Sequence, residues 1–222
     1  MHYHGPDKAD LANVLTLNKA FIAWQRARSP ENTTGRGLPA EVHARFAALS
    51  CEQRDRLARM PFLLMSLAED DEARWQSFFA EQQTRDLLQC VHRRDEAASR
   101  LIAAGLGFLW QLSQRNPYAV RLVSGASLPW CEKLASCTLM DLFSRALEDQ
   151  ALLAPRMADK PDLWRKLLTV GVSNRRHLRR AVRVAALQTL LTQGPVRTYR
   201  PLAAAACKMP APRSRRSGKR RG

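Results

Sequence analysis

Apolar side chains recur at three- and four-residue spacing along most of this chain, and local start and stop signals cut the pattern into short helices. Asp10–Arg28 sets Leu11, Val14, Leu15, Asn18, Phe21, Ile22 and Gln25 on one face and stops before Ser29-Pro30. Pro39 suits the first helical position of Pro39–Leu49. Ser50 followed by Gln53 is a capping-box pattern that opens another helix, which Pro61 breaks. The period resumes from Asp70 to about Val91 and from Asp95 to Ser113. Asn116-Pro117 pairs an N-cap with a first-turn proline for a short helix through Val123. Ser127-Leu128-Pro129 starts a segment that runs to Ala154 and is apolar enough to be a central core element. Pro161 or Asp162 starts a helix to Val170, Gly171-Val172-Ser173 reads as a turn, and Ser173 or Asn174 caps a last helix to about Thr192.

Strand signals are nearly absent. No run alternates apolar and polar residues with β-branched or aromatic enrichment, and no Asn-Gly or Asp-Gly hairpin turn occurs. The expected fold is all-α: an orthogonal multi-helix bundle with a disordered basic C-terminal tail. A 222-residue chain with 45% hydrophobic content can bury one sizeable core or two small ones. The expected division is 1–68, a helical segment; 69–194, a helical core ending in a basic helix; and 195–222, the tail. That tail holds four prolines, an alanine run and dense positive charge, so it cannot bury a core.

The net charge of +16 is unevenly placed. Residues 1–100 sum to zero, whereas residues 161–222 carry 16 basic side chains and one acid, Asp162. Arginine outnumbers lysine 29 to 7, which favours bidentate phosphate contacts. Within the last helix, Arg175, Arg176, Arg179, Arg180 and Arg183 recur at helical spacing and read as one cationic face. Leu178, Val182, Ala185, Leu187, Leu190 and Leu191 read as its buried side. In the tail, Arg213, Arg215, Arg216, Lys219, Arg220 and Arg221 lie among Ser and Gly, where flexible guanidiniums can each find a phosphate and release counterions. These eleven residues are the candidate nucleic-acid contacts.

The helix pair around Gly171 resembles a helix–turn–helix, whose turn glycine would be left-handed and whose second helix would enter a major groove. The phase differs from the usual version. The positions normally apolar in the second helix fall on His177 and Arg180, while Leu178 and Ala181 stand one step late. A phosphate-gripping face that does not read bases fits that phase better.

Residues 14–67 carry a second resemblance. Leu17-Asn18-Lys19-Ala20-Phe21 is followed by Arg36-Gly37-Leu38-Pro39-Ala40-Glu41, then by Phe46-Ala47-Ala48-Leu49-Ser50-Cys51-Glu52-Gln53 and Arg56-Leu57-Ala58. Together they resemble the FlhD family of flagellar transcriptional regulators. The matching positions are Leu17, Asn18, Phe21, Leu38, Leu49, Ser50, Gln53, Leu57 and Ala58. Pro61-Phe62-Leu63-Leu64-Met65-Ser66-Leu67 replaces that family's aromatic-rich stretch, and nothing after residue 70 matches. The resemblance implies a dimerising, all-helical transcription co-regulator.

Catalytic patterns are lacking: there is no G-x-S-x-G, no phosphate-cradling glycine loop and no H-E-x-x-H. The expectation is a protein that is not an enzyme and holds no cofactor or metal. Cys51, Cys90, Cys131, Cys137 and Cys207 are widely spaced and read as buried free thiols. Glu69-Asp70-Asp71-Glu72 reads as helix-start acids complementing the macrodipole. Gly105 and Gly107, costly inside a helix, mark close packing. With no membrane-length apolar run and no signal-peptide pattern, the expected location is the cytoplasm, in association with the nucleoid. The expected partners are nucleic acid, most simply DNA, and a second copy or another helical protein, with no membrane insertion. The rival reading is an interaction adaptor whose tail docks on an acidic protein or an anionic membrane surface.

Circular dichroism should be dominated by helix, and deleting residues 195–222 should leave the melting temperature nearly unchanged. A substantial sheet signal would sink the architecture, and a large drop in melting temperature on truncation would show that the tail docks.

Overall fold

The computed structural model describes residues 5–28, 37–80, 95–146 and 149–192. Among these the fold is all-α. In chain order it comprises α1 (Lys8–Ala27), α2 (Ala40–Ala47), α3 (Cys51–Ala58), β1 (Met65–Ser66), α4 (Glu72–Ala80), α5 (Glu96–Arg115), α6 (Pro117–Ser124), α7 (Leu128–Ser136), α8 (Leu139–Ala146), β2 (Ala154–Pro155), α9 (Pro161–Thr169) and α10 (Arg176–Thr192), with a 3-10 turn at Gln150–Leu152. The continuation of α4 towards Val91, Cys90, Cys207 and the whole tail from 195 lie outside the described residues. No helix among those described is long and apolar enough to cross a membrane.

Helix α1 starts earlier than apolar spacing predicts, because Asp7 and Asp10 cap it reciprocally. Asp10 N donates to Asp7 Oδ1 at 2.7 Å, and Asp7 N donates to Asp10 Oδ2 at 3.0 Å. Arg115, the last residue of α5, reaches both carboxylates. At the other end of α1, Trp24 Nε1 donates to Asp95 Oδ2 at 2.9 Å, and Asp95 also caps α5. The two longest helices therefore run antiparallel with both ends tied. Helix α5 also packs against α6, α7 and α8, which makes it the central element.

The segment expected to run unbroken from Ser127 to Ala154 is instead broken after α7. Thr138 Oγ1 accepts from Asp141 N at 3.1 Å and caps α8. That Thr-x-x-Asp signal stands in the sequence, but continuous apolarity hides it. The buried core is a single cluster extending from Val14 to Leu190, so the described residues on either side of 68 share it.

Residues 62–69 form the least helical part of that core, with Phe62, Leu63, Leu64, Met65 and Leu67 all completely buried. A stretch buried on both faces reads as a plain apolar run without alternation, which is why strand signals miss it. Its short pairing with β2 is antiparallel, Met65 opposite Pro155 and Ser66 opposite Ala154. A buried non-helical backbone needs partners for its peptide groups. Asn18 accepts from Leu64 N at 2.8 Å through Oδ1 and donates through Nδ2 to Phe62 O at 2.9 Å and Ala58 O at 3.2 Å. Arg156 donates from Nε to Leu63 O at 2.7 Å, from Nη2 to Met65 O at 2.6 Å, and from Nη1 to Ser124 O. Glu69 Oε2 accepts from Leu67 N at 3.1 Å and from Ser66 Oγ at 2.6 Å. Trp75 Nε1 donates to Ala68 O at 2.9 Å.

Arg156 and Glu69 also pair directly, Nη2 to Oε1 at 2.8 Å, with both side chains buried. This corrects the reading of Glu69 as a helix-start acid. Asp71 and Glu72 do flank the start of α4, where Asp71 Oδ1 accepts from Arg74 N at 3.1 Å. Glu69 instead faces inward and neutralises a buried guanidinium. The expectation of close packing at Gly105 holds, but its neighbour is the extended segment. A Cβ there would lie 2.5 Å from Met65 Cε and 3.2 Å from Leu67 Cδ1.

Replacing Arg156 with Met would strand the Glu69 carboxylate and three backbone carbonyls. Denaturant unfolding should show a loss of about 3–5 kcal/mol. A loss below about 1 kcal/mol would mean that the segment does not depend on the guanidinium.

Candidate nucleic-acid interface

The basic helix is carried by a turn that the core grips from two sides. Pro161 sits in the first turn of α9, and Trp164, Leu167 and Leu168 face inward. Trp164 Nε1 donates to Arg156 O at 2.8 Å, and its ring lies 5.2 Å from that of Phe46. After α9, Gly171 N donates to Lys166 O at 2.9 Å. A Cβ on Gly171 would meet Leu167 O at 2.5 Å, so glycine is needed there for close approach. Its φ is not positive, which corrects the left-handed turn expected from the helix–turn–helix likeness. The left-handed glycine among the described residues is Gly125, φ +74°, which ends α6 beneath Leu190.

Val172 is buried, and its carbonyl accepts from Arg56 Nη1 of α3 at 3.1 Å. Neither Ser173 nor Asn174 caps α10. The Ser173 hydroxyl is buried and bonds to no described residue, and the helix begins at Arg176. Along α10 the inward stripe is Leu178, Val182, Ala186 and Leu190, with the last two buried. Ala185, expected on the buried side, is exposed, because the stripe follows a four-residue step.

The five arginines do not share one face. The side chains of Arg175, Arg176 and Arg180 are exposed and bond to no described residue. Arg179 and Arg183 turn toward the body of the protein. Arg179 Nη1 donates to Ser173 O at 2.7 Å and to Asn174 O at 3.1 Å, which fastens the turn to the helix. Arg183 Nη2 donates to Arg56 O at 3.1 Å, at the end of α3. Burial depresses the Arg183 pKa, and the nearby Arg179 and Arg59 charges add to the effect. The guanidinium remains protonated at neutral pH.

His177 and Arg180, where a standard recognition helix has apolar residues, are exposed. The outward strip also carries Ala181, Val184 and Ala185, of which Val184 is 49% exposed. It presents guanidiniums and small apolar groups to solvent with no acid among them. The tail candidates Arg213, Arg215, Arg216, Lys219, Arg220 and Arg221 lie outside the described residues.

Charge recurrence in the sequence missed α3. Arg59 ends that helix beside Arg183, and Arg56 links it to the turn. Nothing local marks them, since they sit among the acids Glu52 and Asp55.

Cys131 is buried, and that burial, with the nearby Glu69 carboxylate, pushes its pKa up to about 12, so it is a neutral thiol. Cys51 is exposed at the start of α3, contrary to the expectation of burial, because that helix faces the core through Leu57 and Ala58. No family model matches the chain, and no curated protein or solved structure is similar to it.

The two classes of arginine should separate in thermal unfolding. Arg179→Ala removes two backbone contacts and should cost about 1–2 kcal/mol. Arg176→Gln and Arg180→Gln should each stay within about 0.5 kcal/mol of the parent. Equal destabilisation by all three would contradict the division.

Proposed function

We propose that this chain is a nucleic-acid-associated regulatory protein that grips phosphates through the outer strip of α10 and the basic segment 208–221, without reading bases. The observation that carries the reading is the set Arg175, Arg176 and Arg180, exposed and without a partner among the described residues. They stand in a stretch, 163–192, with no acidic residue. Solvated guanidiniums on a rigid helix contribute affinity by releasing counterions from a polyanion, and their forked donors match phosphate oxygens.

The displaced stripe supports phosphate contact over base readout. It leaves Ala181 and Val184 where a groove-reading helix would present further polar side chains. The regulatory part of the proposal rests on the likeness of residues 14–67 to the FlhD family. The arginine strip itself argues only for the polyanion. No catalytic role is proposed.

Fluorescence anisotropy with labelled duplex DNA over a salt series tests this. Each phosphate neutralised contributes about −0.9 to the slope of log K against log salt. The triple change of Arg175, Arg176 and Arg180 to Gln should reduce the slope by about 2–3, equally for unrelated sequences. Removing 195–222 should reduce it further. Loss confined to one sequence would indicate base readout. Absence of DNA binding at about 50 mM salt, where such contacts are strong, would overturn the proposal and favour an acidic protein or anionic lipid as the partner.

A further inference from the structure

A second cationic group gathers where the C-terminal end of α3 meets α10, on a different flank from the exposed strip. The hydrogen bond from Arg183 Nη2 to Arg56 O, at 3.1 Å, lays the guanidinium on the last turn of α3. Arg59 closes that turn as its C-cap, and Arg179 stands one turn before Arg183 on α10. Arg183 is half-buried, and its Nε is sealed from solvent and bonds to no described residue.

No carboxylate among the described residues pairs with Arg59, Arg179 or Arg183. The acids of α3 are engaged elsewhere: Asp55 pairs with Lys19 at 3.0 Å, and Glu52 with Arg56 at 2.8 Å. Asp55 is near enough for Arg59 to help hold its carboxyl below the usual range, but Lys19 dominates that effect. Among the described residues, the acceptors that meet the guanidiniums of this seam are the carbonyls of Arg56, Ser173 and Asn174. The charges of Arg59 and Arg179 act on Arg183 from nearby, and these three like charges, one of them partly desolvated, are a poor arrangement for an isolated fold. They suit a compact tetrahedral anion that offers several acceptor oxygens at once.

We propose that Arg59, Arg179 and Arg183 form a binding site for one phosphate group at the seam of α3 and α10. The group would come from a nucleic-acid backbone or from a small phosphorylated molecule. The site goes beyond the polyanion contact of the outer strip and does not require it.

The test is a phosphorus NMR titration of the full chain with inorganic phosphate, with chloride at matched ionic strength as the control. Arg59→Gln is the informative variant, because Arg59 is exposed and its side chain bonds to no described residue. The parent should bind phosphate saturably. Arg59→Gln should weaken binding by about tenfold or more, the effect of one lost charge-assisted hydrogen bond. In phosphate-free buffer its melting temperature should match or exceed the parent's, since a repelling charge has gone. The triple Gln variant of Arg175, Arg176 and Arg180 should bind phosphate like the parent. Release of bound phosphate by duplex DNA would assign the site to a backbone phosphate. Retention would assign it to a small molecule. Phosphate binding that is absent, or unchanged in Arg59→Gln, overturns the site. Loss of DNA binding with phosphate binding intact would overturn the polyanion reading alone.

Discussion

The fold depends on a buried, non-helical stretch of backbone. Helices satisfy their own peptide groups, whereas residues 62–69 cross the core without that means. Their carbonyls and amides are met by side chains from remote parts of the chain. Asn18 comes from α1, Trp75 from α4, and Arg156 from the loop after β2. A guanidinium suits this role because its donors fan out in a plane and reach several carbonyls together. Burying it requires a counter-charge, which Glu69 supplies from the same segment. Glycine at 105 then lets the segment lie against α5. Helices α1, α4, α5 and α9 all touch either this segment or the arginine that holds it.

That centre links the core to the basic helix. Arg156 accepts through its own carbonyl from Trp164, which orients α9. Helix α9 leads into the turn at Gly171, and Arg56 and Arg179 hold the turn against α3 and α10. The exposed arginines are therefore carried on a helix tied to the core through that turn. Such a tie lowers the ordering cost of contact, whereas a flexible segment must lose freedom on binding.

The helices were legible in the sequence because their signals are local. The Ser50–Gln53 capping box, Asn116-Pro117 and Pro161 each mark an observed helix start. The core centre was not legible, since Arg156 and Glu69 lie 87 residues apart. Each has a plausible surface reading when taken alone, one in a loop and the other in an acidic cluster. The arginine helix was legible as a charge pattern, but its division into outward and inward residues was not. Arg179 and Arg183 follow one stripe and Arg176 and Arg180 the next, with Arg175 exposed just before the helix, and spacing cannot say which flank another helix covers. Helix α3 decides that by lying beside Arg183, and its own contribution, Arg59, is hidden among acids.

Arginine-selective footprinting read by mass spectrometry tests the central claim most directly. The full chain would be labelled with phenylglyoxal in the presence and absence of duplex DNA. Arg175, Arg176 and Arg180 should lose reactivity when DNA is bound, while Arg26 on α1 and Arg100 on α5, both exposed, keep theirs. Unchanged labelling of Arg175, Arg176 and Arg180 in a complex shown to have formed would contradict the account.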